Sequence, residues 1–387
     1  MKRFIKSFFI SLLVGLPLIL GLVVFIYFKT NDGSKEIVEI DFQQEHFQSN
    51  QNTETALIEN SKEDNSEPET DEALVQPADK EIITLSFAGD VHFSELYLQK
   101  YDQNGISVFA DEEMLELMRT ADLFMLNHEF SFSLRGETME DKEYTLRSDP
   151  KYVKILQELG TDVVSIANNH VLDFGQTAFL DTLDTLEAAD ISYAGGGRTL
   201  NDASSPVVRT IAGETFAIFA ATRVSPSYDW YASKSKPGIF QTYDAKGLNE
   251  AILAAESNYD HTIVFVHWGI ERNEYPEEYQ RTLAKGYIDA GADLVIGCHP
   301  HVLQGFEYYK NVPIIYSLGN YLFSNRTGET LLLNANFSST GELQIQLIPC
   351  ERSNGVLKRI EEPKALFDHL TDLSFGASIS ENGILVP

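Results

Sequence analysis

The chain has 387 residues with 58 acidic against 29 basic side chains, a formal net charge of −29, and length enough for one large domain. Beyond Thr30 the balance deepens to −33, with all 58 acidic residues against 25 basic ones. Such a field argues against nucleic acid as a partner, and it repels an anionic substrate unless metal ions or a local basic patch reverse it. The only two cysteines, Cys298 and Cys350, do not make a disulfide framework.

Residues 7–28 form a 22-residue stretch without a charged side chain, long enough to cross a bilayer as a helix. Lys2, Arg3 and Lys6 precede it and an acidic segment follows Lys29, which places the N-terminus in the cytoplasm and the rest of the chain outside. The stretch exceeds the roughly 7–15 apolar residues of a signal peptide and no small-x-small cleavage site follows. Residues 1–30 therefore read as an uncleaved membrane anchor, with a cleaved signal as the alternative. Residues 31–80 are rich in Glu, Asp, Gln, Asn, Ser and Thr and read as an acidic disordered tether.

A folded domain is expected over 81–350, followed by a C-terminal extension, 351–387, that packs on it or is partly disordered. Residues 82–88 read as the first buried strand. The pattern predicts a helix over 152–159, with Val153, Leu156 and Leu159 on one face and Gly160 just past its end. It predicts others over 178–189 and 277–290. Short β-rich segments at 207–212 with 216–221, and at 330–337 with 343–349, look like antiparallel additions to the βα units. Two packed sheets flanked by helices follow from this alternation, while strand order is not readable.

Five polar motifs each follow an apolar strand-like run: Asp90-Val91-His92, Asn127-His128-Glu129, Asn168-Asn169-His170, His267-Trp268-Gly269 and His299-Pro300-His301. The run 313–318 ends similarly in Gly319-Asn320. In open α/β sheets the carboxyl ends of the strands form one rim, where ligands bind. Residues two apart in an extended segment point to the same side, so Asp90 with His92, and His299 with His301, can each present two ligands to one ion. Cys298 then points away and reads as a small buried residue. Asn169 offers a neutral oxygen and His170 a second imidazole. Asp173 could fix the tautomer of a neighbouring histidine by accepting its other N–H. Glu129 could bridge two cations roughly 3.5–4 Å apart; His128 faces the other way. His46, His261 and His369 join no constellation. Mixed carboxylate, amide and imidazole ligation suits one or two ions of Mn, Fe, Co or Zn, which polarise a phosphoryl oxygen and activate water. His170, if not a ligand, could protonate the leaving oxygen.

The order D-x-H, acidic residue, N-H, H and H-x-H resembles the calcineurin-like metallophosphoesterases, which implies a four-layer αββα sandwich and a two-metal centre. More closely, Phe87-Ala88-Gly89-Asp90, the run from Ala167 to Gly175, His267-Trp268-Gly269-Ile270-Glu271, the run from Gly291 to Gln304, and that from Tyr316 to Phe323 are similar to the CapA family. That family is also called PgsA in poly-γ-glutamate systems, and the likeness covers roughly 82–349. It implies Asp90, His92, Glu129, Asn169, His267, His299 and His301 as metal ligands, with His170 catalytic. It also implies a membrane-anchored, extracytoplasmic protein of capsule synthesis or export. The partners implied are the cell membrane, the membrane subunits of a polymer synthase, and an anionic surface polymer or its precursor. Two other readings stay open: a non-catalytic export or scaffold subunit, and a general exported phosphoesterase.

Overall fold

The computed structural model describes residues 82–323, 328–353 and 355–387, together with the backbone of two strands, Val24–Lys29 and Lys35–Ile40. The chain divides into two units, 1–73 and 74–387. In the first, the two strands pair antiparallel, with Val24 opposite Ile40. The expected membrane helix therefore falls outside the described residues except for 24–28, which lie in a strand. Among the described residues no helix is long and apolar enough to cross a membrane.

The second unit is a mixed α/β sandwich. One sheet runs Val356–Arg359, Leu343–Ser353, Glu329–Ser338, Ile82–His92, Leu123–His128, Val163–Ser165, Ser192–Ala194, and Asn320–Phe323 lies against the end of Ile82–His92. The other runs Val207–Ile211, Glu214–Thr222, His261–His267, Leu294–Cys298, Val312–Ile315, Phe306–Tyr309. In the second sheet the central pairs are parallel and the two edge pairs antiparallel, whereas the first is antiparallel from Val356–Arg359 to Ile82–His92 and parallel from there to Ser192–Ala194.

Alternation along the strands explains the layering. Ile83, Leu85 and Phe87 of the first sheet meet Phe216, Ile218, Ile263, Phe265, Leu294 and Ile296 of the second in one buried core. Their neighbours face outward: Phe124 and Leu126 meet Leu156, Phe179 and Leu183 of helices Val153–Glu158 and Gly175–Ala188. Val264, Val266 and Val295 meet Leu248, Ile252, Ala284 and Tyr287 of Lys246–Glu256 and Glu278–Asp289. With both faces covered, these strands read as unbroken apolar runs. The three helices expected near 152–159, 178–189 and 277–290 form at Val153–Glu158, Gly175–Ala188 and Glu278–Asp289. Glu214–Thr222 does more than the antiparallel addition expected of it, because it also pairs in parallel with His261–His267 and so belongs to the centre of its sheet.

The rim is shaped by a bulge. Pairing between Ile82–His92 and Leu123–His128 shifts register between Phe87 and Asp90, which re-aims Asp90 at the strand end. Gly89 permits this, since a Cβ there would stand 1.9 Å from the Gly319 carbonyl oxygen. The Asp90 N–H donates to that same oxygen at 2.9 Å.

Away from the rim, Glu307 anchors Phe306–Tyr309 to the helix Glu278–Asp289. Its carboxylate accepts from Arg281 Nε at 2.9 Å and Tyr316 Oη at 2.8 Å, and Lys285 Nζ lies 2.8 Å away. Burial works against its charge, but Arg281, Lys285 and Tyr316 outweigh burial and bring its pKa to about 2 from 4.5. A depressed carboxyl pKa gives stability that is complete above 4.5 and lost as pH falls toward 2. In urea unfolding at pH 7, Glu307→Gln is expected to cost roughly 1.5–3 kcal/mol. The gap from wild type should close as the pH is lowered through that window; a gap independent of pH would remove the ion-pair account.

Candidate metal centre

The strand ends Asp90, Asn127, His267 and Cys298 converge because the two sheets face each other and their parallel strands finish on one rim. Asn127, fully buried, sits at the middle. Its Nδ2 donates to Asp90 Oδ1 at 2.8 Å and Glu129 Oε2 at 3.2 Å and lies 3.3 Å from His267 Nδ1. Its Oδ1 accepts from Asn168 Nδ2 at 3.2 Å. Asn168 in turn accepts the His170 and Val171 N–H groups on Oδ1, at 3.1 and 3.0 Å, which shapes the turn carrying Asn169 and His170. Asp90, Glu129 and His267 are therefore brought together by a buried amide that carries no metal-ligand signature of its own, and the His299-Pro300-His301 turn is tied in through Asp90.

Two groups of three have ligand atoms all within 4.8 Å of one another: Asp90, His267 and Cys298, and Glu129, His299 and His301. Asp90 Oδ2 accepts the His299 N–H at 3.2 Å and lies 3.2 Å from His301 Nδ1. Asn320 Oδ1 also faces His301 Nδ1, at 2.8 Å. Both acceptors place the proton of His301 on Nδ1, leaving Nε2 with the lone pair, 4.0 Å from Glu129 Oε1. Glu129 Oε1 and His299 Nδ1 are buried and have no hydrogen-bond partner. Orphaned buried acceptors are costly. A divalent cation held by this trio would satisfy both, and the donor types present fit one.

The electrostatics agree. Burial, reinforced by Asp90, pushes Glu129 well above the usual carboxyl range. Burial drives His299 down to about 3 and His267 well below its ordinary value, with neighbouring imidazoles adding to both. For His301, burial is overcome by Asp90, and its pKa is raised. His267 and His299 are thereby held neutral, the metal-ligating form of imidazole.

His92 and Asn169 lie outside both trios. His92 packs its ring near Phe130 and Phe323, and burial, with His170 next, lowers its pKa to about 4. Asn169 Oδ1 is 2.7 Å from His267 Nε2. His170 Nδ1 is 2.7 Å from Asp173 Oδ2, an acceptor that places the ring proton on Nδ1. Burial lowers the His170 pKa against the pull of Asp173.

Cys298 corrects the sequence reading: it does not point away. Alternation cannot be carried past the strand end, because His299 and His301 have φ of 101° and 58° and the chain there is not extended. Lys142 is a residue the sequence did not single out. Its Nζ reaches the Asn169 carbonyl oxygen and Asp173, stands 3.2 Å from His170 Nδ1, and lies 5.1 Å from the centre of the Trp230 ring. It comes from a loop without periodicity, so no pattern marks it. His128 is buried with both ring nitrogens unpartnered, against Phe130 and Phe132 and apart from both trios. A cavity of about 480 Å³ lies beside His301, lined also by Asn320, Leu303, Arg272 and His369.

Residues 84–325 match the family model described as "Bacterial capsule synthesis protein PGA_cap". The chain is similar to the "PGA biosynthesis protein CapA" of Bacillus subtilis (strain 168), 30% identical over 277 residues, covering 70% of this chain and 72% of that protein. It is 28% identical over 297 residues to the "Capsule biosynthesis protein CapA" of Bacillus anthracis, covering 74% and 72%. A Mycobacterium tuberculosis (strain CDC 1551 / Oshkosh) protein, "Probable polyglutamine synthesis accessory protein MT0602", is 30% identical over 219 residues, covering 54% and 58%.

Proposed function

This chain belongs to the CapA (PgsA) family of bacterial capsule synthesis proteins, and from that membership we propose that it acts in the synthesis or export of poly-γ-glutamate or a related anionic surface polymer, through a metallophosphoesterase-like site that binds one or two divalent ions. The observation that carries the metal reading is the pair of trios with Glu129 Oε1 and His299 Nδ1 left without partners between them. Asp90, Glu129, His267, His299 and His301 hold the metal, and His92 and Asn169 complete its surroundings. Bound ions of Mn, Fe, Co or Zn would polarise an ester or amide oxygen and activate water.

The chain's own residues do the rest. With Asp173 accepting its Nδ1–H, His170 takes up and returns a proton at Nε2. Lys142 neutralises Asp173 and ties the Asn169 peptide in place. Bound metal would supply the local positive charge that an anionic polymer needs on a chain this acidic. Anchored by residues 7–28, the domain lies outside the membrane beside the membrane subunits of a polymer synthase.

Two measurements test this reading. Deleting the gene in its own bacterium should abolish cell-associated polymer, and the wild-type gene should restore it; unchanged polymer removes the capsule role. The full-length protein should stay with membranes through carbonate extraction, its domain open to protease added outside cells stripped of their wall. Recovery of a soluble mature form starting near residue 30 would contradict the anchor.

A further inference from the structure

We propose that Cys298 is a metal ligand, so that one of two ions is bound by Asp90, His267 and Cys298 while the other lies at Glu129, His299 and His301. This rests on the metal reading above and adds the chemistry of one donor set. His267 and Cys298 end adjacent parallel strands and are register partners, so their side chains project from the same face of the sheet. That face is the inner one, because Cys298 and, two residues before each, Phe265 and Ile296 lie in the core between the sheets. Asp90 reaches the same point from the opposite sheet. All three side chains are buried, and their ligand atoms lie within 4.8 Å of one another.

The hydrogen bonds orient the imidazole for this role. Asn169 Oδ1, 2.7 Å from His267 Nε2, places the ring proton on that nitrogen. Nδ1 is then the lone-pair nitrogen, and it lies 3.3 Å from Cys298 Sγ. Fixing the tautomer of a ligating histidine from its far nitrogen is the usual task of the outer shell of a metal site. Without metal, the Cys298 thiol donates to His267 Nδ1 at 3.3 Å and has a longer contact to the Val266 carbonyl oxygen at 3.7 Å, so the sulfur already faces the nitrogen with which it would share an ion. Cys298 would hold the ion as a thiolate, its thiol proton being released to solvent. A site with one sulfur, one nitrogen and one oxygen donor favours Zn, Co or Fe over Mg or Ca.

Cobalt(II) substitution of the full-length protein reads this directly, since sulfur–cobalt bonds give an intense near-ultraviolet charge-transfer band. The wild type should show the band, Cys298→Ser should lose it while retaining cobalt at the second trio, and Cys350→Ser should keep it. Affinity for zinc should fall at least about 10-fold in Cys298→Ser. Cobalt bound by the wild type without the band overturns the Cys298 ligand and leaves the remainder of the site standing. A wild type that binds no cobalt overturns this inference and the metal reading together. The wild-type spectrum decides even where the serine variant does not fold.

Discussion

His299→Ala combined with His301→Ala is expected to lower the bound divalent metal, by loss of the ion at that trio, and to weaken the response of thermal stability to added zinc or manganese. The double substitution takes two of the three donors from one trio. It leaves Glu129, whose carboxyl burial and Asp90 already push toward the neutral form, as a lone and poor ligand. A metal that binds only the folded chain stabilises it by about 2.7 kcal/mol at a hundredfold excess over Kd. The wild type should therefore melt several degrees higher with metal than after chelation, and the double variant should gain clearly less from metal. Loss of the His301 ring also leaves buried Asp90 without its imidazole partner, so the metal-free variant should melt below the metal-free wild type, and the weakened response to metal is the diagnostic. Equal metal content in wild type and variant would remove the metal hypothesis.

His170→Ala is expected to lower activity or polymer output by about 10²–10⁴-fold while leaving the fold and most of the metal in place. His170 belongs to neither trio, and its ring is held by Asp173 beside the site rather than within the donor set. Asp173→Asn is a harsher change than orienting one imidazole suggests. Asp173 is fully buried and also receives Lys142 and the Leu146 N–H. Loss of its charge leaves the Lys142 ammonium half-compensated, so stability and output should fall together. A folded, metal-loaded His170→Ala protein that supports normal polymer output would point to the non-catalytic export subunit.

What was legible in the chain follows period and position. Strand ends carrying Asp90, Asn127, His267 and the His299–His301 turn were visible because buried parallel strands read as continuous apolar runs that stop abruptly at polar residues. The helices at Val153–Glu158, Gly175–Ala188 and Glu278–Asp289 were visible by their apolar spacing. Cys298 was misplaced because alternation holds only while backbone stays extended, and the left-handed residues His299 and His301 end that condition. Lys142 was invisible because a loop has no period; only the folded chain brings it to Asp173. Asn127 was passed over as a site residue because an amide at a strand end has many uses, and its role at the centre depends on neighbours up to 140 positions away.

The most direct test of the metal centre is elemental analysis of the full-length protein purified in detergent, before chelation, after chelation and after reloading. The account predicts one or two ions of Mn, Fe, Co or Zn per chain, removed by the chelator and restored to the same stoichiometry. A folded protein that holds no divalent transition metal after reloading would contradict it.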